Sequence, residues 1–180
     1  MKNQNTKKLA YAALFLALCL VLPMLTGQIP QIGSMLLPMH IPVLLCGLVC
    51  GWQYGAAVGF VAPLLRSVLF GMPPMYPVAI AMAFELLTYG LVIGLVYRRM
   101  AQKGAAGVYA ALLTAMVAGR LVWGVAEVVL LGLGGKAFTA QAFLAGALLN
   151  AVPGIIVQLV LIPAVMAALQ KARAVKEYAE

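Results

Sequence analysis

The chain has 180 residues, of which 65% are hydrophobic and 9% charged, and its formal charge is +8. A soluble domain carries roughly a quarter charged residues to wet its surface, so these proportions exclude one and assign the apolar side chains to lipid. The cations are not a nucleic-acid signal either: Lys2, Lys7, Lys8, Arg98, Arg99, Lys103, Lys171, Arg173 and Lys176 all stand at the ends of apolar segments, where the positive-inside rule places them in the cytoplasm.

The first apolar segment covers about 9–27, behind Lys7 and Lys8. Cations ahead of an apolar run resemble a secretory leader, but no convincing small-residue cleavage site follows, and the segment reads as a retained helix. It is rich in alanine; Ala13 and Ala17 make a small-x-x-x-small pair beside Ala10 and Ala12. The second and third segments, about 36–51 and 54–71, are short for a bilayer core that takes about 20 helical residues to cross. Pro38, Pro42 and Pro63 predict kinked or irregular backbone in them, which lipid tolerates only where neighbouring helices or a cavity satisfy it. Gly47, Gly51, Gly55 and Gly59 recur at helical spacing, as do Gly90 and Gly94, and such stripes let helices approach closely. Cys19, Cys46 and Cys50 lie inside apolar segments and read as small hydrophobes; Cys46 and Cys50 share a face, yet two thiols alone make a poor zinc site.

The fourth, fifth and sixth segments cover about 77–97, 106–133 and 141–169. The N-terminal tail, the 98–104 loop and the C-terminal tail carry the basic residues, the 28–35 and 72–77 loops carry none, and the 134–140 loop carries only Lys136. An even number of crossings with both termini inside satisfies all of these loops. The expected fold is therefore an all-α membrane protein: one integral membrane domain over 1–180, six transmembrane helices in one bundle, N- and C-termini cytoplasmic.

Function is signalled by groups that an apolar bundle should not contain. Arg66, Glu85, Arg120 and Glu127 lie within apolar segments, and a charge at a helix centre costs about 2.5–3.5 kcal/mol on insertion scales, so each needs a partner or water. By residue count, all four and Asn150 fall between the outer surface and the midplane. Arg120, Trp123 and Glu127 share one face of the fifth helix, Glu85 and Tyr89 one face of the fourth, and Asn150 and Gln158 one face of the sixth. Three polar faces at one depth predict a pocket open to the exterior; a structural ion pair such as Glu85 with Arg120 is the plainer account of any single residue. Trp123 and Tyr76 offer stacking or capping surface, or anchor the membrane interface. His40, near Met35 and Met39 at the outer start of the second helix, reads as a rim contact or a helix-end hydrogen bond. One imidazole among thioethers is too thin a donor set for a metal.

Phosphate-loop and hydrolase motifs are missing: Gly135-Lys136 lacks the upstream glycine and the following Ser or Thr. No base and nucleophile can be assembled from a chain with one His. Neither an enzyme nor a cofactor site is expected.

The stretch Leu37-Pro38-Met39-His40-Ile41-Pro42, then Gly51, Tyr54-Gly55, Pro63-Leu64-Leu65-Arg66-Ser67, Phe70-Gly71-Met72-Pro73-Pro74 and Ala83-Phe84-Glu85, with the alanine-rich first helix and the six segments, resembles the substrate-binding S components of energy-coupling factor (ECF) vitamin transporters. The resemblance implies a cell-membrane subunit of an ABC-type importer that binds one vitamin-like nutrient at high affinity on the outer side. It also implies a transmembrane coupling protein and two cytoplasmic ATPases as partners, docking through Ala13 and Ala17, and lids formed by residues 28–35 and 72–77. The central stretch looks most like pantothenate-type S components. Arg66 or Arg120 would then hold the carboxylate, with Asn150 and Glu85 receiving hydroxyl and amide groups and His40, Tyr76, Trp123 and Glu127 completing the substrate site. An amine-bearing nutrient would suit the two glutamates equally. The alternative is a self-sufficient secondary transporter or channel for a small polar solute, with Glu85 or Glu127 as proton relay.

Overall fold

The computed structural model describes residues 2–25, 35–135, 137, 139–146 and 150–171, and every regular element among them is helical. α1 is Lys2–Leu25, α2 His40–Cys50, α3 Trp52–Phe70, α4 Ile80–Met100, α5 Ala105–Leu133, α6 Ala140–Leu144 and α7 Val152–Lys171. A π-helical turn, Met75–Ala79, leads into α4, and a 3-10 turn, Ala101–Lys103, follows it.

Among the described residues, five helices are long and apolar enough to cross a membrane: Asn5–Leu25, Trp52–Phe70, Met75–Met100, Ala105–Leu133 and Val152–Lys171. Five, not six, is the count that length supports. The expected second crossing is an 11-residue helix, about 16 Å long at 1.5 Å per residue, roughly half a bilayer core. Its late start has a local cause. Leu37 takes φ 50, the left-handed region that side chains disfavour, and Pro38 follows it. His40 N–H closes this turn on Leu37 O at 3.0 Å. Pro42 does no harm, because it sits in the first turn of α2, where amide hydrogens lack helical partners anyway. The expected sixth crossing also divides, into α6 and the long α7.

α4 is the hub, packing on α2, α3 and α5, while α1 lies across α2 and α3 and α7 against α2 and α5. Gly51, at φ 97, links α2 to α3, so the glycine repeat does not run along one helix. Instead Gly47 on α2 and Gly55 and Gly59 on α3 are brought against α4. A methyl group on Gly90 would strike the backbone of Gly55, and one on Gly59 the backbone carbonyl of Leu86. Backbones this close gain dispersion and polar contact that lipid cannot offer. Gly90→Ala should therefore lower thermal stability in detergent by about 1–3 kcal/mol, the usual cost of overpacking. Gly132→Ala, where nothing lies within 4 Å of the added carbon, should leave the melting temperature unchanged.

The start of α1 and the end of α7 meet at one end of the bundle. Lys8 of α1, Trp52 of α3 and Arg98 of α4 line one pocket of about 270 Å³, and Gln170 of α7 donates to Tyr97 Oη at 3.1 Å. At the opposite end α3 closes on Gly71, whose N–H returns to Ser67 O at 2.9 Å. The outward surface is an apolar belt that includes Val21, Val68, Val125 and Val160, as a lipid-facing surface requires.

Candidate functional site

The register between α4 and α5 is set near the end away from the termini, where Tyr76 Oη donates to Leu130 O. α5 runs antiparallel to α4, so Glu85, following Tyr76, and Arg120, preceding Leu130, arrive at the same depth. There Arg120 Nη1 stands 3.0 Å from Glu85 Oε1. His40 Nε2, from the first turn of α2, stands 3.4 Å from the same oxygen. Tyr89, one turn below Glu85, presents its ring edge-on to His40 with centroids 5.2 Å apart, and Gly119 on α5 leaves room for that ring.

This cluster is closed to solvent. His40 and Glu85 are each 1% exposed, and the side chain of Arg120 is 13% exposed. Gln158 of α7 is also 1% exposed, on the helix that packs against α2 and α5. Gly154, one turn earlier, packs on the backbone of Met35 and Leu36, and four residues further along each chain stand Gln158 and His40. The polar atoms are not saturated. Among the described residues, both nitrogens of His40, Oε1 of Glu85, Nε and Nη2 of Arg120 and Nε2 of Gln158 make no hydrogen bond. A buried polar atom without a partner costs about 1–3 kcal/mol, and native structures keep few of them. The protein's own groups thus leave this buried polar cluster incompletely satisfied.

The other expected site residues are distributed around the cluster. Glu127, buried, lies two turns along α5 on the face of Arg120. Trp123 between them stacks on Phe143 of α6 with centroids 6.1 Å apart. Tyr76 is half exposed at the rim. Asn150 is exposed at the approach to α7, with its backbone N–H on Ala145 O; the buried amide on that face is Gln158, two turns on. The expected lid at 28–35 falls outside the described residues except for Met35. Two pockets lie away from this cluster, one at the terminal end and one in an apolar groove between α4 and α5.

Arg66 does not reach the cluster. Its Nη1 donates to Leu20 O of α1, and its guanidinium sits 5.3 Å over the Phe70 ring. The acceptor is explained by Pro23, which lies within α1 and, having no N–H and a bulky ring, disturbs the helical bonding of the preceding turn. In hydrocarbon a carbonyl loosened in this way needs another donor. Arg66→Met should therefore cost the ligand-free protein about 1–3 kcal/mol, the price of a buried acceptor left open, read as a lower melting temperature. Unchanged apo stability with weaker ligand binding would return Arg66 to the ligand site.

Fold and cluster together define a polytopic helical membrane protein whose apolar interior holds an incompletely satisfied polar site. The family described as "ECF transporter, substrate-specific component" matches residues 7–166, and the chain belongs to that family, which comprises transporter subunits rather than enzymes. No curated protein and no solved structure matches it.

Proposed function

We propose that this chain is the high-affinity substrate-binding subunit of an ECF importer in the cell membrane, and that the buried cluster of His40, Glu85, Arg120 and Gln158 is where its nutrient binds. The observation carrying this reading is the set of unpartnered polar atoms within a bundle whose core is otherwise apolar. The substrate is a vitamin, with pantothenate the first candidate because the central stretch looks like pantothenate-type S components.

In this reading the terminal end, with Lys8 and Arg98, faces the cytoplasm and meets a transmembrane coupling protein driven by two cytoplasmic ATPases. The opposite end, with Tyr76 and the loop before α4, faces the exterior. Glu127 and Trp123 extend the site toward that face.

The test is a thermal-shift screen of the purified protein against a panel of vitamins. A ligand that binds only the folded state stabilises it by about 4 kcal/mol at a thousandfold excess over its dissociation constant. One vitamin should raise the melting temperature, and Arg120→Lys should reduce that shift. No shift from any vitamin, in a sample shown to be folded, would sink the reading. Uptake in liposomes without ATPases would transfer it to a secondary transporter.

A further inference from the structure

Resting on the reading of the buried cluster as the ligand site, we infer that its ligand carries a carboxylate, which docks on the Nε–Nη2 edge of Arg120, and that Gln158 is a second contact to the same ligand. Glu85 is a positioning residue for Arg120, not the receiver of a ligand amine.

A guanidinium has two forked edges, Nη1–Nη2 and Nε–Nη2, each offering two parallel N–H groups that match a carboxylate in plane. Glu85 lies against Nη1 only, at 3.0 Å. It therefore fixes the guanidinium from one side, and the atoms left without hydrogen bonds, Nε and Nη2, are the two that form the other edge. A buried ion pair made for packing alone would not leave a whole forked edge open in a lipid-embedded core. The remaining unpartnered atoms point the same way. Gln158 Nε2 is a donor and the His40 ring supplies at least one N–H, while Glu85 Oε1 is the one carboxylate oxygen in the set. A surplus of donors selects a ligand rich in acceptors.

The charges decide against the other classes. An amine seeking Glu85 Oε1 would share that oxygen with Arg120 Nη1 at 3.0 Å and His40 Nε2 at 3.4 Å, and would add a cation beside a guanidinium. A phosphate carries roughly −1.5 to −2 at neutral pH, too much for one arginine already facing Glu85, with Glu127 two turns away on the same face. A single carboxylate charge can be held by the free edge. Gln158 is buried on the helix packed against both α2 and α5, and in this proposal it donates to the carboxylate or to an acceptor beside it.

The experiment measures binding by titration calorimetry to the full-length protein in detergent, with matched probes: pantothenate and pantothenol, biotin and its methyl ester, nicotinate and nicotinamide, and thiamine and pyridoxal phosphate as cationic and phosphorylated probes. One carboxylate should bind at least about a hundredfold tighter than its neutral counterpart, because the neutral form leaves the donors unpaired. Arg120→Lys should weaken that carboxylate by about tenfold or more, since an ammonium keeps the charge but loses the fork. Gln158→Leu should weaken it by about tenfold. Gln158→Glu, which keeps the size and presents a second anion, should abolish binding, and serves where the leucine variant does not fold. Thiamine or pyridoxal phosphate as the tight ligand, lost in Arg120→Lys, would overturn the carboxylate assignment and leave the site standing. A carboxylate bound equally well by wild type, Arg120→Lys and the Gln158 variants would overturn the site itself. Binding by none of the probes would sink this inference, while the functional reading beneath it falls only if the full vitamin screen also finds no ligand.

Discussion

Glu85→Ala is expected to destabilise the ligand-free protein by about 3–5 kcal/mol, the largest effect of any single substitution here, because it leaves a buried cation without its counter-charge. Arg120 Nη1 and His40 Nε2 both lie against one carboxylate oxygen, and no second carboxylate contacts either of them among the described residues. Glu85→Gln, which keeps the shape and an acceptor, should fall between wild type and alanine. The pair itself is not expected to add net stability over an apolar one, since desolvation offsets most of the attraction between buried charges. Glu85→Met with Arg120→Met should thus recover much of what Glu85→Ala loses, so the two sites are strongly non-additive. The measurement is unfolding in detergent by heat or denaturant for the four variants. A cost near zero for Glu85→Ala would mean that Arg120 finds water or another partner, and that Glu85 does not hold it in place.

Most of the bundle is legible in the sequence because hydropathy reports lipid exposure directly. The third, fourth and fifth apolar runs end within a few residues of α3, α4 and α5. Hydropathy fails where the backbone changes while the composition does not. Residues on both sides of the division between α6 and α7 are apolar, and only Asn150 and Pro153 mark it. The short α2 is hidden in the same way, its prolines warning of a break without placing it at Leu37. The site divides similarly. That Glu85 and Arg120 need partners follows from the cost of a charge in hydrocarbon. Which partners they find depends on helix register, and that is set by backbone contacts such as Gly55 on Gly90. Hence His40, expected at the rim, lies inside, and Arg66, expected at the pocket, is drawn to a carbonyl beside Pro23. The periodicity that pairs Asn150 with Gln158 puts both on one face of the last helix, but of the two only Gln158 is buried.

Leucine at Ala13 and Ala17 together is expected to abolish copurification with the coupling protein and ATP-driven uptake, with ligand affinity in the isolated subunit unchanged. α1 buries Ala12, Phe15 and Cys19 against the bundle, whereas Ala13 and Ala17 are exposed on another face with Leu14 and Val21. Small side chains on a surface gain nothing from lipid, which is as apolar as leucine. What they allow is close approach of another helix, where packing and weak polar contacts drive association. If that face meets only lipid, two leucines are harmless; if it receives a coupling helix, they hold the backbones apart. The bundle contains its own control, because Ala164 and Ala168 of α7 are also exposed at the same spacing. Leucine at both of those positions should leave copurification and uptake intact. Loss of partner binding in the α7 pair and not in the α1 pair would move the docking surface to α7. Loss in neither would mean that small residues do not mark it, and that the coupling protein recognises the cation-lined terminal end instead.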